Sequence, residues 1–240
     1  MNTFSITDTG RVRSSNQDCV FCEENAIGSF PNLFLVADGM GGHKAGDTAS
    51  RMCIEEVVKE IMNTRCTTPV SVFEKAAEAA NLAIYKQSHS VAQLEGMGTT
   101  LVCATVVGHT VYVGNVGDSR LYHLHDTLKQ ITVDHSLVEE MVQSGEIQND
   151  EMRTHPNKNI ITRALGTDTA VQMDCFEIEV QEGDVLLLCS DGLSNMLEDE
   201  EIEKIIREHI TDMKSAGECL VERANEAGGK DNISVVLVRL

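Results

Sequence analysis

The sequence predicts an α+β fold in which antiparallel sheets are covered by helices. Three observations carry this expectation. Short apolar runs rich in β-branched residues, bounded by Gly or Asp, recur along the 240-residue chain. Two longer amphipathic stretches follow one another instead of alternating with the strands. Strands in runs and helices in pairs disfavour the strict βαβ order of a parallel doubly wound sheet.

The elements follow in order. Strands are expected at residues 4–7, 19–23 and 33–37. A helix is expected over 45–64, where Ala49, Met52, Cys53, Val57 and Ile61 recur at helical spacing, and a second over 71–89. A strand meander follows at 100–107, 111–115 and 119–125. Residues 136–166 are polar, carry Gly145 and Pro156, and lie between strand-like regions. They read as an inserted flap with one short helix, 137–145, and long loops of this kind are usually functional or disordered. Strands at 171–180 and 185–189, helices at 199–209 and 215–227, and a last strand at 234–240 complete the chain. With 3 Pro, no Ser/Gly linker and no internal repeat, residues 1–240 are expected to form a single domain. Aromatics make up 4% and Trp is absent, so the core must rest on Val, Ile, Leu, Met and Ala.

The formal net charge of -19 repels nucleic acid and anionic lipid, so neither is expected as a general partner. No apolar stretch is long enough to span a bilayer, and the polar N-terminus lacks the apolar region of a signal peptide. A cytoplasmic location is therefore expected, with the 8 Cys as reduced thiols. Cys19 and Cys22 form a lone CxxC with no second ligand pair, so two thiols in or near a strand is the expected reading.

Aspartates recur where apolar runs end. Leu33-Phe-Leu-Val-Ala37 runs into Asp38-Gly39, Val111–Gly117 into Asp118, and Val185–Ser190 into Asp191-Gly192. Asp231-Asn232 opens the final strand, and Asp18 precedes another. Any one of them has an ordinary explanation in turn chemistry. Together they place carboxylates at the rim of a sheet, where they repel one another unless a cation neutralises them. An all-oxygen donor set suits magnesium or manganese. Gly39 and Gly192 are expected to let backbone approach such an ion. Two metals sharing carboxylates can activate a water and aim it in line at phosphorus. Arg13, just ahead of Asp18, has the fork to clamp a phosphate. His43, in the Gly-rich turn after Asp38, titrates near neutrality and suits a general acid. The sequence lacks the aspartyl-nucleophile, thiolate-phosphate and P-loop motifs and any EF-hand loop. His123 and His125 share a strand face without a third ligand nearby in sequence, so exposed side chains are expected there.

The chain resembles the type-2C metal-dependent serine/threonine protein phosphatases in their compact bacterial form. The matching stretches are Gly10-Arg-Val-Arg-Ser-Ser-Asn-Gln-Asp18, Val36-Ala-Asp-Gly-Met-Gly-Gly-His43, Gly98-Thr-Thr100 and Asn115-Val-Gly-Asp-Ser-Arg120. Asp134-His-Ser136, Thr162-Arg-Ala-Leu-Gly166, Ser190-Asp-Gly-Leu193 and Gly229-Lys-Asp-Asn-Ile233 follow in family order. The resemblance implies a four-layer α-β-β-α sandwich: two packed antiparallel sheets flanked by helices. It implies two core ions, Mn2+ or Mg2+, and a weaker third. Asp38 would bridge the pair, the Gly39 carbonyl would bind one, and Asp191 and Asp231 would complete the other site. Asp18 would act through water, Asp118 with Asp191 would form the third site, and Asn232 would support Asp231. Arg13 would hold substrate phosphate, His43 would be the general acid, and the flap would influence substrate choice. The implied activity is hydrolysis of phosphoserine and phosphothreonine in proteins, by a monomer opposing a Ser/Thr kinase. Asp47 stands where the family often has Glu. A catalytically inert relative and a hydrolase of small phosphoesters are the alternatives; the first should lack a metal carboxylate, and none is missing here.

Overall fold

A computed structural model describes residues 1–42 and 45–240. Its strands are β1 (Asn2–Asp8), β2 (Asp18–Glu23), β3 (Leu33–Met40), β4 (Gly98–Thr99), β5 (Leu101–Val107) and β6 (Thr110–Val116). They continue with β7 (Arg120–Leu124), β8 (Leu128–Gln130), β9 (Asp174–Glu179), β10 (Val185–Cys189) and β11 (Ile233–Arg239). The helices are α1 (Ala45–Asn63), α2 (Pro69–Ser90), α3 (Leu137–Gln143), α4 (Asp191–Ser194), α5 (Asp199–Glu208) and α6 (Met213–Glu226). One sheet has the order β1-β11-β10-β7-β8 and the other β2-β3-β5-β6-β9, with β4 paired to β3. All pairings are antiparallel.

The central strands read as unbroken apolar runs because both of their faces are buried. Alternation along β3 sends Leu33, Leu35 and Ala37 toward α1 and α2, while Phe34 and Val36 enter the layer between the sheets. In the other sheet Leu187 and Cys189 of β10 and Val235 and Leu237 of β11 pack under α5 and α6. Leu186, Leu188, Val236 and Val238 face the middle layer, where they meet Phe34, Val102 and Val113. The four-layer architecture follows: a helix pair, two packed sheets and a second helical layer.

Helix starts are fixed by caps. Thr68 Oγ1 accepts from Ser71 N at 3.3 Å ahead of Pro69, which starts α2 earlier than its apolar pattern. Asp212 Oδ1 accepts from Lys214 N and Ser215 N at 3.2 Å each, so α6 starts at Met213. The strand expected over 171–180 is shorter, because its pairing with β6 runs only from Asn115–Asp174 to Thr110–Glu179. The pattern misses β4, β8 and α4, which are two to four residues long. Residues 136–166 hold α3 and also a 3-10 turn at Asn149–Thr154, one element more than expected. This segment leaves and returns through bridges Ser136–Ile161 and Thr99–Leu165. Arg153 ties its middle to α4 and the following turn, donating to Ser194 O and Leu197 O at 2.7 Å each.

Candidate active site and metal centre

Antiparallel order brings alternate strand ends to one rim of the sandwich. Asp18 opens β2 and lies opposite Asp38 in register on β3. Asp118 follows β6, Asp191 follows β10 and opens α4, and Asp231 precedes β11. Asp38 is not at a strand end as expected: β3 continues through Gly39 and Met40, which pair with β4. Asp38, Asp118, Asp191 and Asp231 line one cleft of about 290 Å³ with Arg13, Gly39 and Asn232, and Asn159 and Ile161 of the flap segment. A neighbouring pocket shares Asp118 and Asp191 and is walled by Arg153 and Lys158.

Hydroxyls and amides hold these carboxylates in place. The peptide of Asp38 is gripped at both ends: its N–H donates to Thr100 Oγ1 at 2.9 Å, and its carbonyl accepts from Thr99 Oγ1 and Thr100 N at 2.9 Å each. Thr100 Oγ1 shares a 2.7 Å hydrogen bond with Ser119 Oγ, beside Asp118. Ser190 Oγ donates to Asp18 Oδ2 at 2.7 Å, across the two sheets. Asn195 Nδ2 donates to Asp191 Oδ2 at 2.9 Å. Asn232 staples the loop that carries Arg13: its Nδ2 donates to Thr9 O and Ser15 O at 2.9 and 3.0 Å, and its Oδ1 accepts from Gln17 N at 2.8 Å. Sequence reasoning assigned no part to Thr99, Thr100, Ser119 or Ser190; the signal available was that each lies inside a stretch matching the family. Gly39 and Gly192 serve close packing here. A Cβ at Gly39 would lie 2.0 Å from Gly46 O, and one at Gly192 1.9 Å from Asn232 O, so each glycine lets two backbone segments touch.

The electrostatics are those of anions crowded together out of water. Burial pushes Asp18 up to about 6 and Asp118 up to about 7. Asp38 and Asp191 are raised well above the usual carboxylate range, first by burial and then by repulsion from the other aspartates of the cluster. Asp18 Oδ1 and Asp191 Oδ1 are buried with no hydrogen-bond partner. Arg13 Nη2 donates to Asp231 Oδ2 at 2.7 Å, so one carboxylate is neutralised from within the chain. Among the described residues no three His, Cys, Asp or Glu side chains are already drawn together at metal-holding spacing. The donor set nevertheless fits hard divalent cations: it is all oxygen, two of its buried oxygens lack partners, and its mutual repulsion is what a cation relieves.

The chain matches the Protein phosphatase 2C family over residues 10–237. It belongs to that family. It is 41% identical over 237 residues to the serine/threonine phosphatase stp of Listeria monocytogenes, an alignment covering 97% of this chain and 93% of that one. Its fold matches the Mycobacterium tuberculosis serine/threonine phosphatase PstP/Ppp with a TM-score of 0.89 and 35% identity, over 100% and 98% of the two chains. It also matches the catalytic domain of the serine threonine protein phosphatase PstP in complex with 2 manganese ions, with a TM-score of 0.85, 34% identity and coverage of 98% and 96%.

Other features singled out in the sequence of this phosphatase 2C chain fall elsewhere. His43 lies outside the described residues. Cys19 and Cys22 lie on β2, three residues apart and so on opposite faces, Cys19 against the α1–α2 core and Cys22 against the middle layer. Every cysteine is a free thiol. His125 is exposed as expected, whereas His123 is half-buried, and the two share a partner that the sequence did not show. Asp184, buried at the start of β10, meets His123 Nε2 at 2.8 Å and His125 Nδ1 at 2.7 Å. That third partner is 59 and 61 residues away in sequence, which is why no local pattern revealed it.

Proposed function

We propose that this chain hydrolyses phosphoserine and phosphothreonine esters in proteins, with divalent cations held by the rim aspartates. The observation that carries the reading is the buried carboxylate cluster with unpartnered oxygens, beside a cleft that Arg13 also lines. Asp38, the Gly39 carbonyl, Asp191 and Asp231 would hold two ions, Mn2+ or Mg2+, and Asp118 with Asp191 would hold a weaker third. When bound, the ions neutralise phosphate charge and lower the pKa of water. Asp18 orients water beside them, and its own orientation rests on Ser190. Arg13 is about half exposed, and its fork could turn from Asp231 to the substrate phosphate. In the reaction the P–O bond to the Ser or Thr oxygen breaks and a water oxygen bonds to phosphorus. His43 gives the leaving alkoxide its proton and is reprotonated by the proton that the attacking water sheds, leaving a free hydroxyl and inorganic phosphate.

The same reading takes residues 1–240 as one catalytic domain with a flap at 136–166, a monomer in the cytoplasm, opposing a Ser/Thr kinase. No helix among the described residues is long and apolar enough to cross a membrane, and the exposed large apolar side chains, such as Val12, Met62, Leu82 and Ile160, lie on different segments. The test is phosphate release from a phosphothreonine peptide with manganese, with magnesium and with chelator. Release with either metal and none with chelator is expected, and Asp38→Asn is expected to abolish it. Undiminished release in chelator, or wild-type turnover by Asp38→Asn at saturating manganese, overturns the assignment.

A further inference from the structure

We propose that His135 is a positioning residue for phosphoester hydrolysis: it grips Gly117 by both backbone groups and so fixes where Asp118 presents its carboxylate. The proposal rests on the function assigned above. His135 lies 18 residues beyond Gly117, is 6% exposed and touches no rim aspartate through any hydrogen bond of the structure. Its Nδ1 accepts from Gly117 N at 3.0 Å, and its own N–H donates to Gly117 O at 2.9 Å. Asn115 Nδ2 adds a bond to the same carbonyl at 3.2 Å. A backbone N–H can only donate, so Nδ1 carries no proton and Nε2 carries it. That proton points to Asp174 Oδ2 at 3.1 Å, at the start of β9. The tautomer is therefore dictated by the fold.

Gly117 needs such a grip. Its φ is +108°, and a Cβ there would lie 2.6 Å from Thr100 Cγ2. Only glycine fits, and glycine leaves the backbone free to swing unless something holds it. Because the peptide joining Gly117 to Asp118 is planar, fixing the Gly117 carbonyl fixes the Asp118 amide plane as well. The same residue reaches the flap. His135 O accepts from Thr162 N at 2.9 Å, and Asp174 also accepts from Arg163 Nη1 at 2.6 Å. The Asp118 turn and the return limb of the flap are thus fastened to one imidazole-bearing residue.

Two near-isosteric variants separate its two ring bonds. His135→Asn keeps an oxygen at the place of Nδ1 and loses the reach to Asp174. His135→Gln keeps a donor at the place of Nε2 and loses the acceptor for Gly117. Two measurements are made on each: the amide resonance and hydrogen exchange of Gly117 in the metal-free protein, and the manganese concentration giving half-maximal phosphate release. In wild type and His135→Asn the Gly117 amide is expected to be protected. In His135→Gln it is expected to exchange faster, and half-saturation by manganese to rise about tenfold, the lower end of what loss of a ligand-orienting contact costs a metal site. A protected Gly117 amide in His135→Gln, or equal metal dependence in the two variants, overturns the proposal. If wild type releases no phosphate under any metal, it is the functional reading that fails, and the Gly117 measurement in the metal-free protein reports that separately.

Discussion

Arg13 lines the same cleft as Asp38, Asp118, Asp191 and Asp231. It pairs with Asp231 at 2.7 Å, while the proposed function needs it as a phosphate clamp. The two roles are compatible if cation and phosphate arrive together: the cation takes the carboxylate and the phosphate takes the guanidinium. Arg13→Ala is then expected to raise KM about tenfold, the worth of roughly one charge-assisted hydrogen bond, with a smaller effect on kcat. Manganese affinity should not fall, because Asp231 loses a competitor. Lysine should rescue only in part, since it offers a point charge in place of a planar fork. An unchanged KM on both phosphopeptide and aryl phosphate places the clamp elsewhere. A weaker manganese affinity would mean that Arg13 holds Asp231 in its ligating position and does not compete for it.

At the scale of elements, the flap anchor gives a separable prediction. Arg153 joins the 3-10 turn of residues 136–166 to Ser194 of α4, the helical turn that Asp191 opens, and pairs with Glu198 at 2.8 Å. Arg153→Ala is expected to raise KM for a folded phosphoprotein about fivefold while leaving an aryl phosphate nearly unaffected, because only the larger substrate meets the flap. Equal effects on both substrates would mean that the anchor acts through Asp191 instead. The elements themselves were legible where two-sided burial wrote long apolar runs, as in β3, β5 and β10. They were illegible where length or polarity erased the pattern: β8 is three residues, Leu-Lys-Gln, at a sheet edge. The site divides the same way. Asp38, Asp118 and Asp191 were visible because a carboxylate directly after an apolar run is a local signal. The register that sets Asp18 against Asp38, the Ser190 bond to Asp18 over 172 residues, and the grip of His135 on Gly117 are long-range, and hydroxyls are too common in loops to announce such a role.

For the whole molecule, the carboxylate cluster couples stability to pH and to metal with a definite sign. In the unfolded chain these aspartates ionise near pH 3.9. In the folded chain burial pushes Asp18 up to about 6 and Asp118 up to about 7, and holds Asp38 and Asp191 well above the usual carboxylate range. The folded state therefore binds more protons than the unfolded state from about pH 4 upward, and stability falls as pH rises through that window. His135 acts in the opposite direction: burial lowers its pKa, so its neutral folded form gains stability as pH rises toward 6.5. Comparison of wild type with Asp118→Asn cancels His135 and leaves Asp118 together with the repulsion it exerts on Asp38 and Asp191. Without metal, Asp118→Asn is expected to be the more stable protein at pH 8, by on the order of 2 kcal/mol, or about 5 °C in Tm for a chain of this length. The advantage should shrink toward pH 5, where wild-type Asp118 is itself protonated. Manganese should reverse the order at pH 8, since a ligand that binds only the folded state stabilises it in proportion to RT ln(1 + [L]/Kd), and under the proposed function only wild type keeps the Asp118 ligand of a third site. At pH 5 protons compete for the same oxygens and the metal effect should be smaller. Parallel Tm profiles for the two proteins between pH 5 and 8, with and without manganese, would show that Asp118 is neither strained by its neighbours nor a ligand.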